Sequence, residues 1–510
     1  MQNAVRLTKM WALWSHLQII GDMVGHRRMT PSGNYYLAFE GIRYAEPPLG
    51  KNSFRNPVSD NYLYNLKRKV YCMDVDPKDG KVFGEEDCLC LNIYTPVPYD
   101  YKKMPVLIWI DGNLDPLGKI NYEPERLMDE WMVFVTMSYR VGPLGFSSKL
   151  NMLHRDNIGL KDQEMAINWV ITNIHKFGGD PKKITLGGEG LGAAFALHHL
   201  NNAMKDKIKR GIALSGSRFA PWAFGPRSWV ASQSDKLGYR IRCKDLACYK
   251  SIKANNLVHE SYKMRTEQLD HGKLLYDGIL MQRTMLLPFL PVVDGKIIKY
   301  HPWERPSDAN FNLLLGLKKD EGVFMDEFIN RYNWTDAIIK SIFNSRVDYE
   351  VMTGKPFVRK GSKELANLYH EEDSLESKNL RNLAGDGWFV FPAMAEAKYH
   401  VGPLTGFMFD NLNPTGYPPC LMQSNVPFLT FDCPLHFRYE QAASKMTRLI
   451  SNFVYQRDLS FELKPYSKDK DVFNITQALL DPAGFKTIDT GMSKRMEKWK
   501  SLNMLSLHYH

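Results

Sequence analysis

The sequence predicts an α/β fold: one large, mostly parallel central sheet covered by helices on both faces. Three observations predict it. Short apolar runs rich in β-branched residues recur along the chain, Gly-containing turns follow them, and helix-spaced segments separate them. Strands buried on both faces of a sheet read as continuous apolar runs, and these do.

The elements follow in order. Val106 to Ile110 (VLIWI) and Val133 to Met137 (VFVTM) are predicted as buried strands. Residues 161–177 place Met165, Ile167, Val170, Ile171 and Ile174 at helical spacing. Ile184 to Leu186 gives a short strand, Ala193 onward (AAFALHHL) a second helix, and Arg210 to Leu214 (RGIAL) a further strand. Ahead of these, residues 1–17 form an amphipathic segment in which Leu7, Met10, Trp11, Trp14 and Leu17 recur at helical spacing. It reads either as a helix in peripheral contact with a membrane surface or as one packed on the body of the protein. Residues 18–510 are read as one domain.

Composition bounds the function. The 510 residues are 44% apolar and 24% charged, which excludes a mainly disordered chain and supplies a large core. No apolar run reaches the roughly 18 residues that a transmembrane span needs. A net charge of +10 comes from scattered basic residues, such as Lys205, Lys207, Lys209 and Arg210, without interleaved aromatics. These read as solvated surface, and no nucleic-acid partner is expected. Cys72 with Cys88, and Cys243 with Cys248, are spaced to close short loops, and no metal-ligand pattern follows them. Residues 1–20 lack a clear signal sequence, which favours a cytoplasmic or membrane-peripheral location over secretion. The sequons at Asn333 and Asn474 are glycosylation candidates in the secreted alternative.

The most informative stretch is Gly188-Glu189-Gly190-Leu191-Gly192, between the short ITL strand and the AAFALHHL helix. That context is a nucleophile elbow, G-x-S-x-G, in which a sharp strand-to-helix turn presents a serine at the carboxyl edge of a sheet. Its surroundings repeat a longer order: FEGIRYAEPPLG, EDCLCLNIYTP, SYRVGPLGF, GLKDQ, FGGDPKKITL, LSGS, PVVDGK, KDEG and WKSL. Together these blocks resemble the type-B carboxylesterase and cholinesterase family of α/β-hydrolases over about residues 18–505. The SGS-x-x-x-PW block (Ser215 to Trp222) is most similar to the insect alpha-esterase branch.

The resemblance implies a serine nucleophile, a histidine base, a glutamate that orients it and an oxyanion loop, with no cofactor. Matched residue by residue, the nucleophile position falls on Gly190 and the histidine position on Met422 or Gln423. Neither can do that chemistry, and His436 is a weak substitute for the base. The triad acid persists as Glu321. The oxyanion loop, H-G-G-G in the family, reads Asp111-Gly112-Asn113-Leu114. Loss of such a serine costs about 10⁶-fold in turnover by analogy with subtilisin. Two smaller departures accompany these. Ser53 stands where the family has an arginine pairing with the acid of E-D-C, so Glu86 needs another partner, and Arg140 with Asp162 forms a candidate buried pair.

The expectation is therefore a carboxylesterase-like protein without catalysis, binding a small apolar or ester-like ligand. A weak ester hydrolase using another nucleophile, and an adhesion-type protein with a protein partner, are the alternatives. Asp111, Glu189 and Glu321 sharing one site would favour a cation or amine over an anion.

Overall fold

The computed structural model describes residues 17–60, 62–76, 79–98, 103–112, 124–148, 156–270, 288–306, 308–318, 320–331, 335, 369, 376–409, 437–459, 476–478, 495 and 497. Among them, thirteen strands run β1 (Leu17–Ile20), β2 (Met23–Met29), β3 (Tyr35–Arg43), β4 (Asp74–Val75), β5 (Val82–Phe83), β6 (Cys90–Pro96), β7 (Met104–Ile110), β8 (Val133–Met137), β9 (Gly179–Glu189), β10 (Arg210–Leu214), β11 (Asn312–Lys318), β12 (Leu404–Phe409) and β13 (Thr476–Ala478). The helices that matter below are α1 (Ile158–Asn173), α2 (Leu191–Leu200), α3 (Ala254–Asp270), α4 (Glu376–Gly385), α5 (Phe391–Tyr399) and α6 (Phe437–Val454).

Eleven strands form one sheet in the order β1-β2-β3-β6-β8-β7-β9-β10-β11-β12-β13. From β8 to β13 every neighbouring pair is parallel, whereas β1, β2, β3 and β6 pair antiparallel. The α/β class therefore holds, with an antiparallel flank added at the amino-terminal end. Leu17, assigned above to the amphipathic segment, opens β1 opposite His26. The rest of that segment lies outside the described residues.

Both faces of the sheet are buried, which is why its strands read as apolar runs. Along β7, Val106, Ile108 and Ile110 join a core shared with α1 and α2, while Leu107 and Trp109 join a second core with Met446, Leu449 and Ile450 of α6. The alternation follows from the two-residue period of a strand. The first predicted helix begins earlier than its apolar pattern, at Ile158, and ends in a 3-10 turn (Ile174–Phe177) stopped by Gly178 at φ 80°. β9 also starts earlier than its apolar core. The turn-like residues Asp180 to Lys183 are held extended because Gly179 pairs with Met104 across a register shift in β7.

Both expected disulfides, Cys72–Cys88 and Cys243–Cys248, are formed. The first closes a loop that carries the β4–β5 hairpin, which packs on α3. No helix among the described residues is long and apolar enough to cross a membrane.

Candidate functional site

A parallel sheet gathers its functional groups at the carboxyl ends of its strands. Here β7 ends before Asp111, β9 at Glu189, β10 before Ser215 and β11 shortly before Glu321. Register places Ile110 beside Gly188 and Glu189 beside Leu214, so these ends adjoin.

Gly190 is the turn residue between β9 and α2, at φ 54° and ψ −121°. Side chains rarely adopt that backbone, and glycine does so without steric cost. Its N–H donates to Leu214 O at 2.8 Å, and its carbonyl accepts from Ala194 N–H at 3.2 Å in the first turn of α2. A Cβ built on Gly190 meets no described atom within 4 Å, so it would point into open space. The flanking glycines differ. A Cβ on Gly192 would collide with Ile110 O, and one on Gly216 with Gly190 O. Backbone packing thus fixes the turn, and only its apex has room for a side chain.

Gly112 closes the opposite wall, where a Cβ would stand 2.9 Å from Glu189 O. The Asp111 carbonyl accepts a hydrogen bond of 2.5 Å from the buried Tyr139 hydroxyl, a contact with no signal in the sequence. Asp111 is half-buried, and Glu189 and Leu191 are buried. Asn113, Leu114, Met422, Gln423, His436, Asn333 and Asn474 lie outside the described residues.

Glu321 is buried in a 3-10 turn after β11. Its Oε1 accepts from the Ser215 hydroxyl at 2.6 Å and from Lys318 N–H at 2.7 Å. Burial raises its pKa, opposed by the Lys318 charge and the two hydrogen bonds. The three carboxylates expected to share the site all stand at the carboxyl edge of the sheet. Glu321 is engaged by a serine and a backbone amide, while Asp111 and Glu189 stand at the ends of β7 and β9. No group of three acids, histidines or cysteines able to hold a metal occurs among the described residues.

Two framework pairs singled out in the sequence are also formed. Asp162 takes Arg140 through Nε (2.8 Å), Nη2 (2.6 Å) and the backbone N–H (3.1 Å), with both side chains buried. Glu86 accepts a longer bond (3.4 Å) from Ser53 Oγ, the residue standing in the family's arginine position, and burial raises its pKa. Beyond β10, half-buried Trp222 donates through Nε1 to Trp388 O at 3.1 Å and packs against Phe389, ring centroids 5.5 Å apart. Trp388 and Phe389 lie in a π-helical turn, Asp386–Val390, between α4 and α5.

A mixed eleven-stranded sheet, two helical layers and a glycine-packed elbow at the carboxyl edge define an α/β-hydrolase. The chain matches the Carboxylesterase family over residues 15–476 and belongs to it. It is 38% identical to venom carboxylesterase-6 of Apis mellifera over 235 residues, 44% of this chain and 42% of the relative. It is 30% identical to esterase B1 of Culex pipiens over 328 residues, 60% of this chain and 58% of the relative. It is 31% identical to cholinesterase 1 of Branchiostoma lanceolatum over 345 residues, 62% of this chain and 91% of the relative. The matches to the two insect esterases thus span about half of each relative's length.

Proposed function

We propose that this carboxylesterase-family chain is a non-catalytic binding protein, which holds a small apolar or ester-like ligand at the carboxyl edge of its sheet. One observation carries the reading: the apex of the elbow is Gly190, and no described atom lies within 4 Å of where a nucleophile's Cβ would stand. The Ser215 hydroxyl in the LSGS block does not take over. Ser215 is 1% exposed and its proton is committed to Glu321, so an ester carbonyl has no path to it. The reading assigns the apolar part of the ligand to the Trp222 and Phe389 rings. It also assigns the protein to an oxidising compartment, because disulfides persist there and are reduced in the cytosol.

The test is hydrolysis of a short-chain p-nitrophenyl ester by purified protein, beside the double variant Gly190→Ser, Gln423→His. The wild type is expected at the buffer blank. Turnover at a rate typical of esterases would overturn the reading and require a different nucleophile.

A further inference from the structure

The edge of the sheet opposite the elbow carries a second feature. Lys103 precedes β7, Lys182 and Lys183 lie in the first residues of β9, Lys209 precedes β10, and Lys205 and Lys207 belong to the turn leading into it. These strands are adjacent, β7 to β9 to β10, and neighbouring strands stand about 4.8 Å apart. The chain contacts draw the side chains together. Lys183 Nζ reaches Lys103 O at 3.4 Å, and Lys209 Nζ reaches Lys205 O at 2.8 Å.

Little opposes this charge. Lys183 faces Asp180 at 3.7 Å and Lys205 faces Asp308 at 3.8 Å, both at the outer limit of an ion pair. Lys207 bonds the neutral Asn168 amide at 2.7 Å. Among the described residues, Lys103, Lys182, Lys207 and Lys209 pair with no carboxylate. Asp206 adds one more acid in the same turn. Soluble surfaces intersperse charges of both signs, since like charges in a row repel and destabilise the compact state. Among the described residues, six lysines stand against three aspartates here, an excess of positive charge that a polyanion would offset.

We infer that this amino-edge lysine row binds a polyanionic chain, specifically a sulfated polysaccharide. Three observations select that class. The row extends across the starts of three adjacent strands, as a polymer requires. Among the described residues, the segments that carry it include none of the exposed large hydrophobic side chains that would enter a bilayer, nor exposed aromatics on which bases would stack. The two disulfides match a compartment where sulfated polysaccharides are met. Binding there leaves the elbow at the opposite edge free.

The test is retention on heparin–agarose and solution affinity for heparin across a salt series. Wild type is compared with Lys182→Gln, Lys183→Gln, Lys207→Gln, Lys209→Gln combined. A control neutralises Lys51, Lys67, Lys236 and Lys253, removing the same charge elsewhere. Losing four contacts is expected to weaken heparin binding on the order of 10²-fold at physiological salt and to flatten the salt dependence, as counterion release requires. The control is expected to stay near wild type. Equal weakening of both variants would reduce the effect to net charge and overturn the inference, as would an unchanged row variant. Phosphatidylserine vesicles and a DNA duplex serve as the other polyanions. Row-dependent binding to either, as tight as to heparin, would overturn the assignment to a polysaccharide.

Discussion

Replacing Gly190 by alanine isolates what the elbow costs the fold. The backbone at φ 54° and ψ −121° lies where a Cβ is strained, at about 1–3 kcal/mol. No collision adds to this, since a Cβ at Gly190 has open space around it. The smaller entropy of the unfolded alanine chain offsets roughly 0.4–1 kcal/mol. The net expectation is a loss of about 1–2 kcal/mol. With an unfolding entropy of about 2.1 cal/mol/K per residue over 510 residues, that lowers Tm by only about 1–2 °C. Gly192→Ala is the contrast, because its Cβ would collide with Ile110 O and force β7 and α2 apart. Differential scanning calorimetry and urea titration of both variants decide the matter. If Gly190→Ala is as damaging as Gly192→Ala, or stabilises the protein, the apex does not have the open, strained geometry argued for it.

Four further outcomes are expected. Arg140→Leu leaves Asp162 buried without its cation and should cost about 3–5 kcal/mol in urea unfolding. Replacing Cys72 and Cys88 by serine reopens a loop of sequence separation 16 and should cost about 3 kcal/mol, whereas reduction of Cys243–Cys248, of separation 5, should cost less. Burial holds the Glu321 carboxyl above the usual glutamate range, so the folded protein binds this proton more tightly than the unfolded chain. The stability it contributes is complete below the ordinary glutamate pKa and declines as pH rises toward the folded value. Glu321→Gln keeps an oxygen for Ser215 and Lys318 and should remove that decline, read from urea midpoints between about pH 4 and 7. Finally, Asp111 and Glu189 at the pocket edge should make an alkyl amine bind more tightly than the fatty acid of equal length in calorimetric titration. The opposite order would remove those carboxylates from the site.

The parts of this molecule that are legible in its sequence are those fixed by local physics. Val106 to Ile110 reads as a strand because both faces of β7 are buried. Gly190 reads as an elbow apex because its flanking glycines follow from backbone packing within one turn. What could not be read depends on partners far along the chain. Ser215 and Glu321 are 106 residues apart, and nothing in the LSGS block announces that its first hydroxyl serves a distant acid. Tyr139 gives no sign of reaching the Asp111 carbonyl. The extended start of β9 was hidden by Asp180, Pro181 and two lysines, whose composition is that of a turn until β7 pairs with it.

The same distinction explains how the scaffold would persist if the proposed loss of the nucleophile is real. In the family's chemistry a side chain at the apex must be held in strained backbone, and the surrounding structure has to over-determine that strain. Here Gly192 packs on Ile110, Gly216 packs on Gly190, and Gly190 N–H is held by Leu214 O. Each of these contacts is made by backbone, so none requires a serine. Glycine at the apex removes the local strain and leaves the packing that enforces the turn. Glu321 shows the same separation of roles, because its contacts with Ser215 and Lys318 tie β10 to the loop after β11 whether or not a histidine is present. A site built this way keeps its backbone packing whatever side chain stands at the apex. The retained motif blocks therefore report on folding, while activity rests on the apex together with the histidine and oxyanion-loop positions, Met422 or Gln423 and Asp111 to Leu114.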